Sequence, residues 1–170
     1  MKKIILRSGL YSGLTLVGLF LITMWIGKSI SYSVQEAIGY VGMILSLIFV
    51  YFGMRQYRDT VNGGTLTFGT GLRVGLLIVL IPTLLFGIFD VLYTSVINPG
   101  FYDEYCSAVL SKMKADLPAR EYEIKAAEMK EQVAMFKNQP VFQFIVMSLT
   151  VFLIGLIITV ISALMLRKAK

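Results

Sequence analysis

Val141 to Leu166 reads VFQFIVMSLTVFLIGLIITVISALML, without one charged residue. An α-helix rising about 1.5 Å per residue needs roughly 20 apolar residues to cross a ~30 Å hydrocarbon layer, so this stretch is long enough to span a bilayer. The β-branched residues between Val151 and Val160 do not argue for a strand. A lone spanning segment must satisfy its own backbone hydrogen bonds, and only a helix does so.

Three further stretches read the same way when the search moves back along the chain. Residues 74–97 carry a single charge, Asp90, and contain Pro82, which is placed to kink a helix. Residues 37–54 run uncharged between Glu36 and Arg55, and residues 8–27 run uncharged between Arg7 and Lys28. The first of the four spans, 8–27, could be taken for a signal peptide, with Ser29-Ile30-Ser31 as its cleavage site. Its apolar part is too long and Lys28 falls at the wrong place, so an uncleaved anchor is expected.

Composition agrees. The chain has 170 residues, 56% of them hydrophobic and only 15% charged, with a mean hydropathy of +0.75. A soluble domain of this size needs more charged surface than that. The expected fold is an all-α, four-helix transmembrane bundle forming a single membrane domain over 1–170, with spans near 8–27, 37–54, 74–97 and 141–166.

The net charge of +6 sits at the ends of the apolar runs rather than along one face, which argues against nucleic-acid binding. Four spans place 1–7, 55–73 and 167–170 on one side, with nine basic residues and one acid, Asp59. The other side, 28–36 and 98–140, holds seven basic and eight acidic residues. Lys and Arg near span ends mark the cytoplasmic side, so both termini and the 55–73 loop are expected there.

The segment 98–140, then extracytoplasmic, reads as an amphipathic helical hairpin. Tyr102, Cys106, Val109, Met113 and Leu117 recur at helical spacing; after Pro118, so do Tyr122, Ala126, Met129, Val133 and Phe136. Asn98-Pro99-Gly100 reads as a turn or a helix start, with Asn as candidate cap and Pro at the first helical position. The apolar seam suits three uses: packing of the helices on each other or on the outer ends of the spans, contact with the membrane surface, or docking of a protein partner or a second copy of the chain.

Within the spans Asp90 is the one acid, about a third of the way in from the outer surface. An ionisable group there faces the bundle interior or water, and is either a proton or cation site or a structural hydrogen-bonding group. Tyr93, one turn on, is its expected partner. Small residues spaced four apart, Gly9/Gly13, Gly42/Ser46 and Gly71/Gly75, are candidate helix-packing positions. In the 55–73 loop, Asn62-Gly63-Gly64 signals a tight turn, not a phosphate loop, because no GxxxxGK[ST] spacing surrounds it.

The order Tyr57-Arg58-Asp59, Gly63-Gly64, Thr67-Phe68-Gly69 opening the third span, Asn98-Pro99 leaving it, and a charged helical segment before the last span resembles the bacterial membrane family catalogued as domain of unknown function 4199. The resemblance covers nearly the whole chain. It implies a four-span protein of the bacterial inner membrane, and it brings no assigned activity and no catalytic residues.

Enzymatic chemistry is not expected. The chain has no histidine and one cysteine, Cys106, which excludes Cys-His and Ser-His pairs and an intramolecular disulfide. One intramembrane acid cannot form an aspartyl dyad. No cofactor or metal site is expected, and the lipid bilayer is the expected surrounding. The first functional reading is a structural or accessory protein whose 98–140 segment binds a partner. The alternative is a small proton- or ion-coupled transporter or channel using Asp90.

Overall fold

A computed structural model describes residues 1–27 and 30–168. Lys28, Lys170 and Ser29 of the Ser29-Ile30-Ser31 motif lie outside the described residues. The chain forms six α-helices: α1 (Lys2–Ile26), α2 (Tyr32–Thr60), α3 (Phe68–Leu92), α4 (Phe101–Asp116), α5 (Ala119–Asn138) and α6 (Pro140–Leu166). A five-residue π-helical turn, Tyr93–Ile97, extends α3. Among the described residues there is no strand, only one antiparallel bridge between Leu66 and Lys168.

Among the described residues four helices are long and apolar enough to cross a membrane: α1, α2, α3 with its π turn, and α6. α1, α2 and α3 take in charged residues beyond the uncharged stretches that announced them, because nothing stops a helix at its first charged residue; Arg55, Arg58 and Asp59 all lie within α2. The bundle is a rhombus. α2 and α3 form the short diagonal and each touches α1 and α6, which stand at the far corners.

The outward faces are strongly apolar: Leu14, Trp25, Ile88 and Ile157 are 60–81% exposed. The faces turned inward carry Ser12, Ser46, Thr159 and Ser162, all nearly inaccessible. Apolar outside with small and hydroxylated residues inside is the pattern of helices packed in lipid, where close backbone approach replaces the hydrophobic drive of water.

The small-residue positions fall at these contacts. A Cβ on Gly9 would lie 2.5 Å from Ile81 Cδ1, and one on Gly13 would lie 2.6 Å from Leu85 Cδ1, so α1 sits directly on α3. Gly71 faces Ala163 and Met54, and Gly75 faces Thr159 and Met54, at the junction of α3, α6 and α2. Gly42 meets Leu19 at ordinary contact distance, while the Ser46 carbonyl accepts a 2.9 Å hydrogen bond from Ser12 Oγ, joining α2 to α1. Gly53, Gly87 and Gly155 make equally close approaches.

One end of the bundle, called here the terminal end, has a tightly packed apolar core. Leu47, Val50, Met54, Leu66 and Ile78 are fully buried there. Leu66 belongs to the α2–α3 loop, turned by Gly63 and Gly64 at φ of +61° and +78°, a backbone region that glycine enters without steric cost. Reciprocal 3.0 Å hydrogen bonds between the Leu66 and Lys168 backbones pin this loop to the chain's last described residue.

At the distal end the bundle carries α4 and α5. Asn98-Pro99-Gly100 forms a turn, closed by a 3.1 Å bond from Phe101 N–H to the Asn98 carbonyl, and does not cap a helix. The preceding π turn already engages the Asn98 N–H on the Tyr93 carbonyl at 2.7 Å, so α4 begins two residues later than Pro99. Pro140 stands at the first position of α6, where its missing N–H costs nothing. α4 and α5 pack on each other, and the seam positions of both helices are the buried or half-buried ones. Tyr102 stacks on Phe136 at 5.8 Å and Lys137 bridges Asp103 at 2.7 Å.

Candidate functional site

Between the distal ends of the long helices and the α4–α5 pair lies a cavity of about 400 Å³, within the usual range for small-molecule sites. Its floor is Leu16 and Phe86, which with Val151 form a small apolar cluster separate from the terminal core. Phe101, Tyr102 and Tyr105 of α4 and Met129, Val133 and Phe136 of α5 contribute from the distal side. It reaches the surface along the first turns of α2, where Glu36, Ile38 and Tyr40 are exposed.

Aromatic contacts hold this arrangement together. Phe20 of α1 meets Phe86 and Tyr93 edge-on at 5.6 and 5.4 Å, Tyr93 meets Phe101 at 6.0 Å, and Tyr32 of α2 meets Tyr105 at 5.5 Å. Such pairs add about 0.5–1.5 kcal/mol each beyond the area they bury; two of them fix α1 on α3 and its π turn, and two, Tyr93–Phe101 and Tyr32–Tyr105, seat α4. The surface contacts between the same elements, such as Lys112 Nζ donating to Ser33 Oγ at 3.0 Å, contribute little.

Asp90 lies in the cavity wall and is 5% exposed. Its Oδ2 accepts a 2.7 Å hydrogen bond from Gln143 Nε2, on the facing helix α6. The same amide donates to Thr94 Oγ1 at 2.8 Å, and the Thr94 hydroxyl donates back to the Asp90 carbonyl at 3.1 Å. Among the described residues no hydrogen bond reaches the other carboxyl oxygen, Oδ1.

Tyr93 is not Asp90's partner. The backbone widens into the π turn at Tyr93, and its ring is taken up by Phe20, Phe89 and Phe101, leaving the carboxyl to the amide across the helix interface. Gln143 is the residue that sequence reasoning missed. Its signal was available, as a lone amide in the apolar run that opens the last span.

Two phenols in the cavity keep their protons. Burial pushes the Tyr102 phenol well above its ordinary value, with the Asp90 carboxylate adding to the effect. Burial raises Tyr105 too, followed by Glu36. Both remain hydrogen-bond donors near the two acids of the lining. At the terminal end the close glycine contacts gather no ionisable groups, and no cluster of three metal-ligating side chains occurs among the described residues.

A helical bundle of membrane-spanning length, capped at one end by a helix pair over an acid-bearing aromatic cavity, is the class that fold and site define together. The chain belongs to the family of proteins of unknown function designated DUF4199, whose profile matches residues 7–168. No curated protein and no solved structure matches the chain.

Proposed function

We propose that this is a non-enzymatic, multi-pass protein of the bacterial inner membrane, with both termini in the cytoplasm and α4–α5 outside, that binds a small molecule in its distal cavity. The observation that carries this reading is the cavity itself: six helices contribute to its wall, and a buried carboxyl with one free oxygen lies in it. The orientation rests on the concentration of Lys and Arg at the terminal end.

The accessory role read from 98–140 takes a particular form here. The seam that could have docked a partner is largely engaged by the pairing of α4 with α5, so the pair acts as a cover for the cavity and not as an open docking face. Against catalysis stands the lack of a nucleophile paired with a base; there is no histidine, and Cys106 sits half-buried in α4 away from Asp90's hydrogen bonds.

A second reading, ion- or proton-coupled transport, is favoured by one observation, the place of Asp90 in the cavity wall. It requires the bundle to open below the floor, where Leu47, Val50, Met54 and Ile78 are fully buried in this conformation.

The test of the binding reading is thermal melting of purified protein in mild detergent against a panel of cationic, neutral and anionic aromatic compounds. A ligand that binds only the folded state raises Tm by mass action. The expected result is a concentration-dependent rise for part of the panel that disappears in Val133→Trp, whose indole fills the cavity. A panel without effect, or a rise that survives in Val133→Trp, contradicts the reading.

A further inference from the structure

We propose that the distal cavity takes an organic monocation with an apolar body, a lipophilic amine or onium ion, with Asp90 as its counter-charge. This rests on the binding reading above and adds the chemical class of the ligand.

The sign of the site comes first. Its ionisable lining consists of two acids, Asp90 and Glu36, and of tyrosines; among the described residues no Lys or Arg reaches it. A phosphate, sulfate or carboxylate would enter against negative charge without a cationic partner, so an anionic lipid headgroup is the wrong chemistry for this cavity. Of the chain's 16 basic residues, none of those described lines the cavity.

The unused valence comes second. Gln143 satisfies Oδ2 of Asp90, while Oδ1 accepts nothing from the described residues and is not among the buried polar atoms left without a partner, so it is open to the cavity. A carboxylate oxygen facing an apolar cavity is less well solvated than one in bulk water, and a cation placed in that cavity meets it directly.

The remaining wall selects the ligand's body. Phe20, Phe86, Phe101 and Phe136 present aromatic faces and edges, and a cation within about 6 Å of such a face is attracted by the ring quadrupole. Met24, Met43, Met129 and Met147 supply unbranched thioethers that adapt to irregular shapes. A hydrated inorganic ion fits this wall poorly, because it needs several oxygen ligands and no cluster of three acidic or other metal-ligating groups is present among the described residues. A cavity of about 400 Å³ holds a molecule of a few rings and not a whole phospholipid.

The experiment uses three probes of similar shape and different charge: tetraphenylphosphonium, tetraphenylborate and triphenylphosphine oxide. Binding to the full chain in nanodiscs is measured by equilibrium dialysis against empty nanodiscs, which removes the lipid background. The expected result is saturable binding of tetraphenylphosphonium, at least about tenfold tighter than tetraphenylborate, because one unit charge close to a buried carboxylate is worth at least that factor. Asp90→Asn keeps an acceptor for Gln143 and should weaken tetraphenylphosphonium by about tenfold, while Asp90→Glu restores it.

Glu36→Gln, at an exposed position, provides a second charge deletion should Asp90→Asn not fold; a several-fold loss is expected. Equal binding of the two ions, or unchanged phosphonium affinity in both Asp90→Asn and Glu36→Gln, overturns the charge assignment. Saturable binding of the neutral oxide without the phosphonium overturns it too, but leaves the binding cavity standing. Failure of all three probes removes both.

Discussion

Replacing Gln143 by leucine keeps most of the side-chain volume and removes the amide that joins α6 to α3. Two short hydrogen bonds go with it, to Asp90 Oδ2 at 2.7 Å and to Thr94 Oγ1 at 2.8 Å. Gln143 is 2% and Asp90 5% exposed, so little solvent reaches the bond itself. A hydrogen bond to a carboxyl group contributes about 1.5–3 kcal/mol where water is excluded, whereas interhelical bonds between neutral groups in membranes average only ~0.6 kcal/mol.

One bond of each kind gives about 2–3.6 kcal/mol for Gln143→Leu. At ~2–4 °C per kcal/mol for a chain of this size, Tm in detergent should fall by roughly 4–14 °C. Asp90→Leu should cost a comparable amount, because it strands the amide. The double variant removes both polar groups together and should recover about 1.5 kcal/mol relative to the sum of the single changes, near the upper end of couplings measured in membranes. A coupling below about 0.3 kcal/mol would show that the two side chains do not hold each other, and the account of the cavity wall would fail with it.

Gly13→Leu forces a side chain against Leu85 and the Pro82 backbone, whose Cα lies 3.3 Å from the added Cβ. Overpacking of this kind costs about 1–3 kcal/mol, so Tm should drop by several degrees, and unchanged melting would contradict the α1–α3 contact. Deleting residues 167–170 removes the reciprocal hydrogen bonds to Leu66 and opens a fully buried leucine to water. Hydrogen exchange at the Leu66 amide should accelerate by at least about tenfold, while exchange in α4 stays as it was. Phe136→Ala deletes the ring that stacks on Tyr102, at a cost of about 3 kcal/mol or more. Trypsin should then cut α5 at Lys125 or Lys130 faster than in the parent chain; equal rates would mean that the aromatic belt does not hold the cover down.

Much of this architecture was legible in residue order. Runs such as Val141–Leu166 admit one regular structure in lipid, and the seam from Tyr102 to Phe136 repeats at helical spacing whatever it touches. The site was legible in part. Asp90 stood out because a lone acid in an apolar span is costly, but its partner was sought one turn along its own helix and lay across the bundle on α6. Local spacing could not anticipate the π turn that carries Tyr93 into the aromatic belt.

Gly53 was likewise invisible to a small-xxx-small search, because the residues four positions away on either side, Phe49 and Tyr57, are large. The bridge from Leu66 to Lys168 joins residues about a hundred positions apart, and such pairings leave no mark in either segment alone. The cavity is the extreme case, since it exists only where six helices fail to meet.

All of this depends on α4 and α5 lying on the far side of the membrane from the α2–α3 loop. Cys106 is half-buried, so the direct measurement moves the thiol to exposed positions, Ser111→Cys and Val61→Cys, each in a Cys106→Ala background. On intact spheroplasts a membrane-impermeant maleimide should label Ser111→Cys at once and Val61→Cys only after permeabilisation. Labelling of Val61→Cys from outside with Ser111→Cys protected, or equal labelling of both in intact cells, would contradict the account.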